Sequence, residues 1–92
     1  MLFLVISTPS PDRPSDALGR RRAFWKWIDL LVATGQVKSA HAKAGRGAAV
    51  MIEVAGHDAL HSFLNEWSEM IPAHFEIHPL MDERSTKRFL ET

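Results

Sequence analysis

The sequence predicts an α+β domain in which a four-stranded antiparallel sheet carries two helices on one face, and three observations support this. Apolar, largely β-branched runs at 2–6 and 50–54 read as strands, and 73–80 alternates apolar and polar residues with the two-residue period of a strand. Two segments, 16–34 and 58–70, repeat apolar residues at helical spacing. Turn residues separate these pieces: the proline-rich 8–15, Gly35, the pair Gly45 and Gly47, Gly56 and Pro72.

Taken in order, Leu2-Phe3-Leu4-Val5-Ile6 has no polar alternation, so a central strand buried on both faces is expected. Thr8 to Ser15 cannot continue a strand or a helix and reads as a surface loop, or as a cover over a pocket mouth. Ser15 or Asp16 can cap a helix running to about Thr34, with Gly35 as its left-handed stop. Phe24, Trp27, Ile28 and Leu31 form its apolar stripe, widened by Ala17, Trp25 and Val32. The tryptophans are either core or the wall of an aromatic pocket, with Trp27 as the candidate ligand contact. In the cluster Arg20-Arg21-Arg22, Arg20 and Arg21 fall near the apolar edge. Arg21 is therefore a candidate contact for an anionic substrate, the alternative being a solvated basic turn with its stems laid along the surface.

Gln36 to Ala42 is a more polar strand, hence an edge, with Val37, Ser39 and His41 expected on one face. Lys43 to Gly47 is a hairpin turn into the strand Ala48 to Val54. Asp58 can cap the second helix, whose apolar positions are Leu60, Phe63, Leu64 and Trp67 and which Pro72 ends. His57 and His61, in its first turns, read as surface or capping residues. The last strand puts Phe75 and Ile77 on one face and His74, Glu76 and His78 on the other. Asp82 can cap a short terminal helix to Thr92, with Phe89 and Leu90 docking on a partner subunit or fraying. The chain is thus one domain, 1–92, with a core of 1–80 and an extension of 81–92.

The order β-α-β-β-α-β with right-handed crossovers gives the ferredoxin-like plait. Its uncovered face would carry Met51 and first-strand residues beside Glu53, His74, Glu76 and His78. A half-apolar face of this kind invites burial against a second copy, so a homodimer is expected.

Composition narrows the function classes. Eleven basic and eleven acidic residues cancel, which gives no net electrostatic reason for a nucleic acid or an anionic membrane as partner. With no cysteine, disulfides, thiolate nucleophiles and cysteine-ligated metal sites are excluded. The run 2–6 is too short for a signal-peptide core or a membrane span, and a cytoplasmic location is the expectation.

His74-Phe75-Glu76-Ile77-His78 sets two imidazoles and a carboxylate in a row, with neighbours roughly 6.5–7 Å apart. Glu76 or a histidine can serve as general base for a cofactor-free proton shift. The row could instead hold a metal with His41, but same-face neighbours on a flat strand are too far apart to meet one ion easily, so no metal is expected. In a third reading the row is structural, with Glu76 paired across the dimer interface.

Several pieces resemble the muconolactone isomerase family: the opening Met1-Leu2-Phe3-Leu4-Val5, the hairpin Ala44-Gly45-Arg46, the strand end Ile52-Glu53-Val54, the helix opening Asp58-Ala59-Leu60-His61, and the strand Glu76-Ile77-His78-Pro79-Leu80. The resemblance implies a dimeric α/β barrel, with larger rings possible, and a cofactor-independent shift of a ring double bond in a butenolide lactone. Where that family carries a Trp-Arg pair this chain has His41-Ala42, and after the first strand it has Ser7 in place of a basic residue. The enolate-like transition state calls for a cation, for which Arg46 or Arg21 is the candidate. The candidate catalytic residues are Glu76, His78, His74 and Glu53, and the candidate substrate contacts Arg46, Arg21, His41 and Trp27. Two alternatives stay open: an oxygenase of the same barrel type acting through Trp and His side chains, and a non-catalytic ligand-binding or assembly module.

Overall fold

The computed structural model describes residues 1–91. Seven elements follow one another: β1 (Leu2–Pro9), α1 (Leu18–Ala33), β2 (Val37–Ala42), β3 (Ala48–Glu53), α2 (His57–Met70), β4 (Ala73–Leu80) and α3 (Glu83–Glu91). The four strands form one sheet in the order β2-β3-β1-β4, with every neighbouring pair antiparallel. This is the expected plait, with β1 central and β2 at an edge.

The register sorts the side chains onto two faces. Phe3, Val5 and Ser7 on β1, Val50 and Ile52 on β3, and Val37 on β2 are buried under α1 and α2. Phe24 and Ile28 of α1 and Leu60, Phe63 and Trp67 of α2 complete that core. Its aromatic side chains form a connected set: Trp67 lies 4.7 Å from Phe24, 5.7 Å from Phe63 and 5.1 Å from Phe75 between ring centroids. Burying a large aromatic side chain in this way removes about 150–250 Å² from water, and ring-on-ring geometry adds roughly 0.5–1.5 kcal/mol per pair.

Three local expectations are corrected. Ser15 and Asp16 do not cap α1: Asp16 and Ala17 donate to the carbonyls of Arg13 and Pro14 in a preceding turn, and the helix begins at Leu18 with Ala17 at its N-cap. Asp58 lies inside the first turn of α2, because extended Gly56 is the N-cap residue. On β2, the register against β3 shifts between Val37 and Ser39. This bulge at Lys38 separates Val37 from Ser39 and His41: Val37 packs on the helix side opposite Ile52, whereas Ser39 and His41 lie opposite Met51 and Ala49 on the other face.

The stops agree with the sequence. Gly35 ends α1 at φ +82°, and Ile71, just ahead of Pro72, closes α2. Asp82 caps α3 by accepting from the Ser85 amide at 2.6 Å, and that bond holds its carboxyl below the usual aspartate range. α3 buries none of its residues. Thr92, expected in the same helix, lies outside the described residues.

Candidate functional site

At the end of the sheet where β1 finishes, a cavity of about 80 Å3 opens between the sheet and the helices. Three segments distant in sequence build it. The end of β1 contributes Ser7 and Pro9, the start of α1 contributes Ala17, Arg21, Phe24 and Trp25, and the β2–β3 hairpin contributes Lys43 and 45–48. Trp67 and Ile71 of α2 close it from the helix side. The volume suits a charged group and the edge of a ring before any side chain moves.

The hairpin can reach β1 because of Gly47. At φ +101° it adopts a conformation that disfavours other residues, and a Cβ there would meet the Ser7 carbonyl oxygen at 2.2 Å. The Ser7 hydroxyl, 3% exposed, accepts from the Ala48 amide at 2.9 Å and donates to the Ala48 carbonyl at 3.5 Å. The Lys43 ammonium donates to the Ser7 carbonyl at 2.9 Å and to the Thr8 hydroxyl at 3.4 Å. Arg46 donates through Nη1 to the Asp12 carbonyl at 2.7 Å, which ties the proline-rich loop to the hairpin. The Asp12 carboxylate itself pairs with Arg20 at 3.3 Å.

Arg21, Lys43 and Arg46 therefore share one cavity, and none of them has an ion-pair partner among the described residues. Lys43 and Arg46 are half-buried, where charges are normally paired, and Arg21 is exposed. This site has an excess of positive charge at the first turn of α1, where the backbone dipole also favours an anion. Phe24, Trp25 and Trp67 supply flat apolar walls. The arrangement can hold a planar molecule by its faces and an oxyanion on it by its edge.

The sequence candidates divide between the two sheet faces. Arg21 and Arg46 line the cavity. His74, Glu76 and His78 stand opposite Thr8, Ile6 and Leu4 in the register, on the face away from the helices. Glu76 and His78 are joined at 2.6 Å and both are exposed. His41 lies on the same face opposite Ala49. Glu53 is at the far end, paired with the chain's amino group at 3.0 Å. Trp27, half-buried, stacks on Phe63 at 5.1 Å against the core, and the cavity wall takes Trp25 in its place. Among the described residues no cluster of histidines and carboxylates is arranged to hold a metal ion.

Lys43 is the charged lining residue that sequence reasoning missed, whereas Trp25 and Trp67, read as either core or pocket wall, both line the cavity. Lys43 reads as the first residue of a turn, and only the two glycines after it signal that the turn comes close to another backbone.

A family model described as "Domain of unknown function (DUF3303)" matches residues 1–92. No curated protein matches the chain significantly in sequence. Among solved structures, the chain is similar to the 5-chloro-2-hydroxyhydroquinone dehydrochlorinase of Burkholderia phenoliruptrix AC1100 in complex with 2,5-dihydroxybenzoquinone. The TM-score is 0.76 at 16% identity, over 92% of this chain and 98% of that one. The likeness is one of fold, the ferredoxin-like α+β plait, and does not single out the lactone isomerases.

Proposed function

The chain belongs to the DUF3303 family, and from that premise and the cavity geometry we propose that it is a small enzyme acting on a planar, oxygen-rich cyclic molecule. The reaction is a proton shift that moves a double bond, as in a butenolide lactone, and it uses no cofactor. One observation carries this reading: Arg21, Lys43 and Arg46, without carboxylate partners among the described residues, face a cavity walled by aromatic rings. Removing a proton beside a carbonyl leaves an enolate, and preorganised cations are what lowers that barrier. The structural neighbour's quinone ligand, a flat ring bearing several oxygens, supports the same substrate shape.

In this reading the chain works in the cytoplasm as a homodimer packed through its open sheet faces. His74, Glu76, His78, Glu53 and His41 then belong to or border the interface. A second reading is a non-catalytic ligand-binding module. It is favoured by the absence of a carboxylate or imidazole from the described cavity wall.

The deciding experiment incubates the purified protein with muconolactone and related butenolides in heavy water and follows deuterium entry at the ring carbons by NMR. Protein-dependent incorporation is expected. Saturable binding without incorporation into any lactone would replace the enzyme with the binding module.

A further inference from the structure

We propose that Lys43 is the acid–base residue of the cavity, an inference that rests on the proton-shift reading above. A proton shift needs a group on the cavity wall that can both take up and return a proton. Among the described lining residues, the side chains carrying exchangeable protons on O or N aliphatic or guanidinium groups are Ser7, Arg21, Lys43 and Arg46; the indoles of Trp25 and Trp67 are donors only. The Ser7 hydroxyl is used in both directions by Ala48 and is sealed in the sheet. A guanidinium keeps its proton throughout any accessible pH. The row on β4 is on the opposite face of the sheet and does not reach this cavity within the same chain. The Lys43 amine is what remains.

Its placement fits the task. Two of its three protons go to neutral oxygens, the Ser7 carbonyl and the Thr8 hydroxyl, which hold the amine in position and leave one N–H direction for a ligand. Its stem runs beside Gly47, whose missing side chain leaves the room. The charged groups that share the cavity with it are Arg21 from α1 and Arg46 from the hairpin, while α2 contributes only Trp67 and Ile71. In the free-amine form Lys43 takes a proton from a ring carbon, giving an ammonium and an enolate whose oxygen faces the guanidinium groups. The ammonium, whose N–H protons exchange with solvent, then delivers a proton to the other end of the allylic system, which moves the double bond, restores the amine and carries deuterium from heavy water into the ring. One residue thus performs both transfers, with no other reactant consumed.

The test uses the full chain with muconolactone as probe, in two measurements. First, Lys43→Met and Lys43→Arg are each expected to slow deuterium incorporation by about 10²–10⁴-fold. Lys43→Arg keeps the positive charge and should keep lactone affinity, measured by titration, while circular dichroism melts confirm that both variants fold. Second, because the chain has no cysteine of its own, Lys43→Cys can be alkylated at that one position with 2-bromoethylamine, which puts an amine back where the lysine stood and is expected to restore incorporation lost in the unalkylated variant.

Incorporation retained in Lys43→Met, or not restored when Lys43→Cys is alkylated, overturns the assignment. If the wild-type protein incorporates no deuterium, the proton-shift reading fails for lactones and the assignment falls with it, whereas wild-type incorporation that survives in Lys43→Met overturns the assignment alone.

Discussion

Along β1 the residues Phe3, Val5 and Ser7 are sealed beneath the helices, while Leu2, Leu4 and Ile6 on the other face stay partly open. The same alternation runs through β3 and, on the open side, ends in the exposed row His74, Glu76 and His78 of β4. The sealed face has a cavity with excess positive charge. The open face has most of the titratable acids and bases that a catalytic site would use. Because side chains on adjacent strand positions point to opposite faces, residues close in sequence or register can belong to separate sites. Conspicuous chemistry on a strand therefore locates a function only after one knows which face is covered.

The change expected to break the covered face most severely is Gly47→Ala. The new Cβ would sit 2.2 Å from the Ser7 carbonyl oxygen, a backbone atom, at φ +101°. Strain at such a site costs of order 1–3 kcal/mol before the overlap is counted. Thermal melts should fall by on the order of 15 °C for a domain of this size. Gly45→Ala, at φ +94° with nothing within 4 Å of the added carbon, is the control and should cost only about 1–2 kcal/mol. Equal losses at the two glycines would mean that the hairpin does not depend on its close approach to β1.

Next in size is a charge on the open face. Leu4 stands between Met51 and His78 in the register and is partly open in the single chain. Leu4→Glu should leave the melting temperature of dilute protein nearly unchanged. If that face packs on a second copy, it should weaken self-association by about 100-fold or more, since a buried unpaired carboxylate is strongly unfavourable. Sedimentation equilibrium at several concentrations measures this. An undisturbed dimer would move the interface elsewhere.

Glu76→Gln tests the separation of the faces with a smaller effect. If Glu76 were the base, turnover would vanish. With Lys43 in that role, deuterium incorporation should stay within about twofold of wild type. The exposed pair with His78 contributes at most about 1 kcal/mol, so the melt should barely move. A loss of more than tenfold in rate with assembly intact would return the chemistry to β4 and overturn the division described above.

What was legible in the sequence follows the range over which each feature is decided. The β4 alternation, the α1 stripe of Phe24, Trp27, Ile28 and Leu31, and the stops at Gly35 and Pro72 depend on neighbours a few positions away. All of them are seen in the structure. The bulge at Lys38 is a single extra residue whose effect shows only against β3, so the pairing of Val37 with Ser39 and His41 on one face failed. The start of α1 failed because Arg13 and Pro14 form their own turn with Asp16 and Ala17, removing Asp16 from the cap. The cavity combines residues 7–9, 17–25, 42–48 and 67–71, and no local pattern announces such a convergence. Arg21 and Arg46 were reachable as cations near an apolar edge and in a matching hairpin, whereas Lys43 needed the contact with Ser7.

The smallest effect concerns α3, which belongs to neither face. It buries no residue, and Leu90 is 75% exposed, so its own cap must hold its first turn. Asp82 accepts from the Ser85 amide, chiefly for that reason its carboxyl lies below the ordinary value of 3.8, and nearby Arg88 and Arg84 add to the effect. A lowered carboxylate pKa gives stabilisation that is complete above the unfolded value and is lost as pH falls through the folded one. Acidification from pH 5 to below 3.8 should therefore loosen α3 first, seen as faster exchange of the Ser85 amide while amides of the central strands stay protected. Asp82→Ala should produce the same loosening at neutral pH and remove its dependence on acid. Both changes should leave the cavity and its ligand affinity untouched, because no residue of 82–91 lines the cavity. Should either change weaken cavity binding, the arm must reach the site in the assembled protein, and the two faces would be coupled through a second copy.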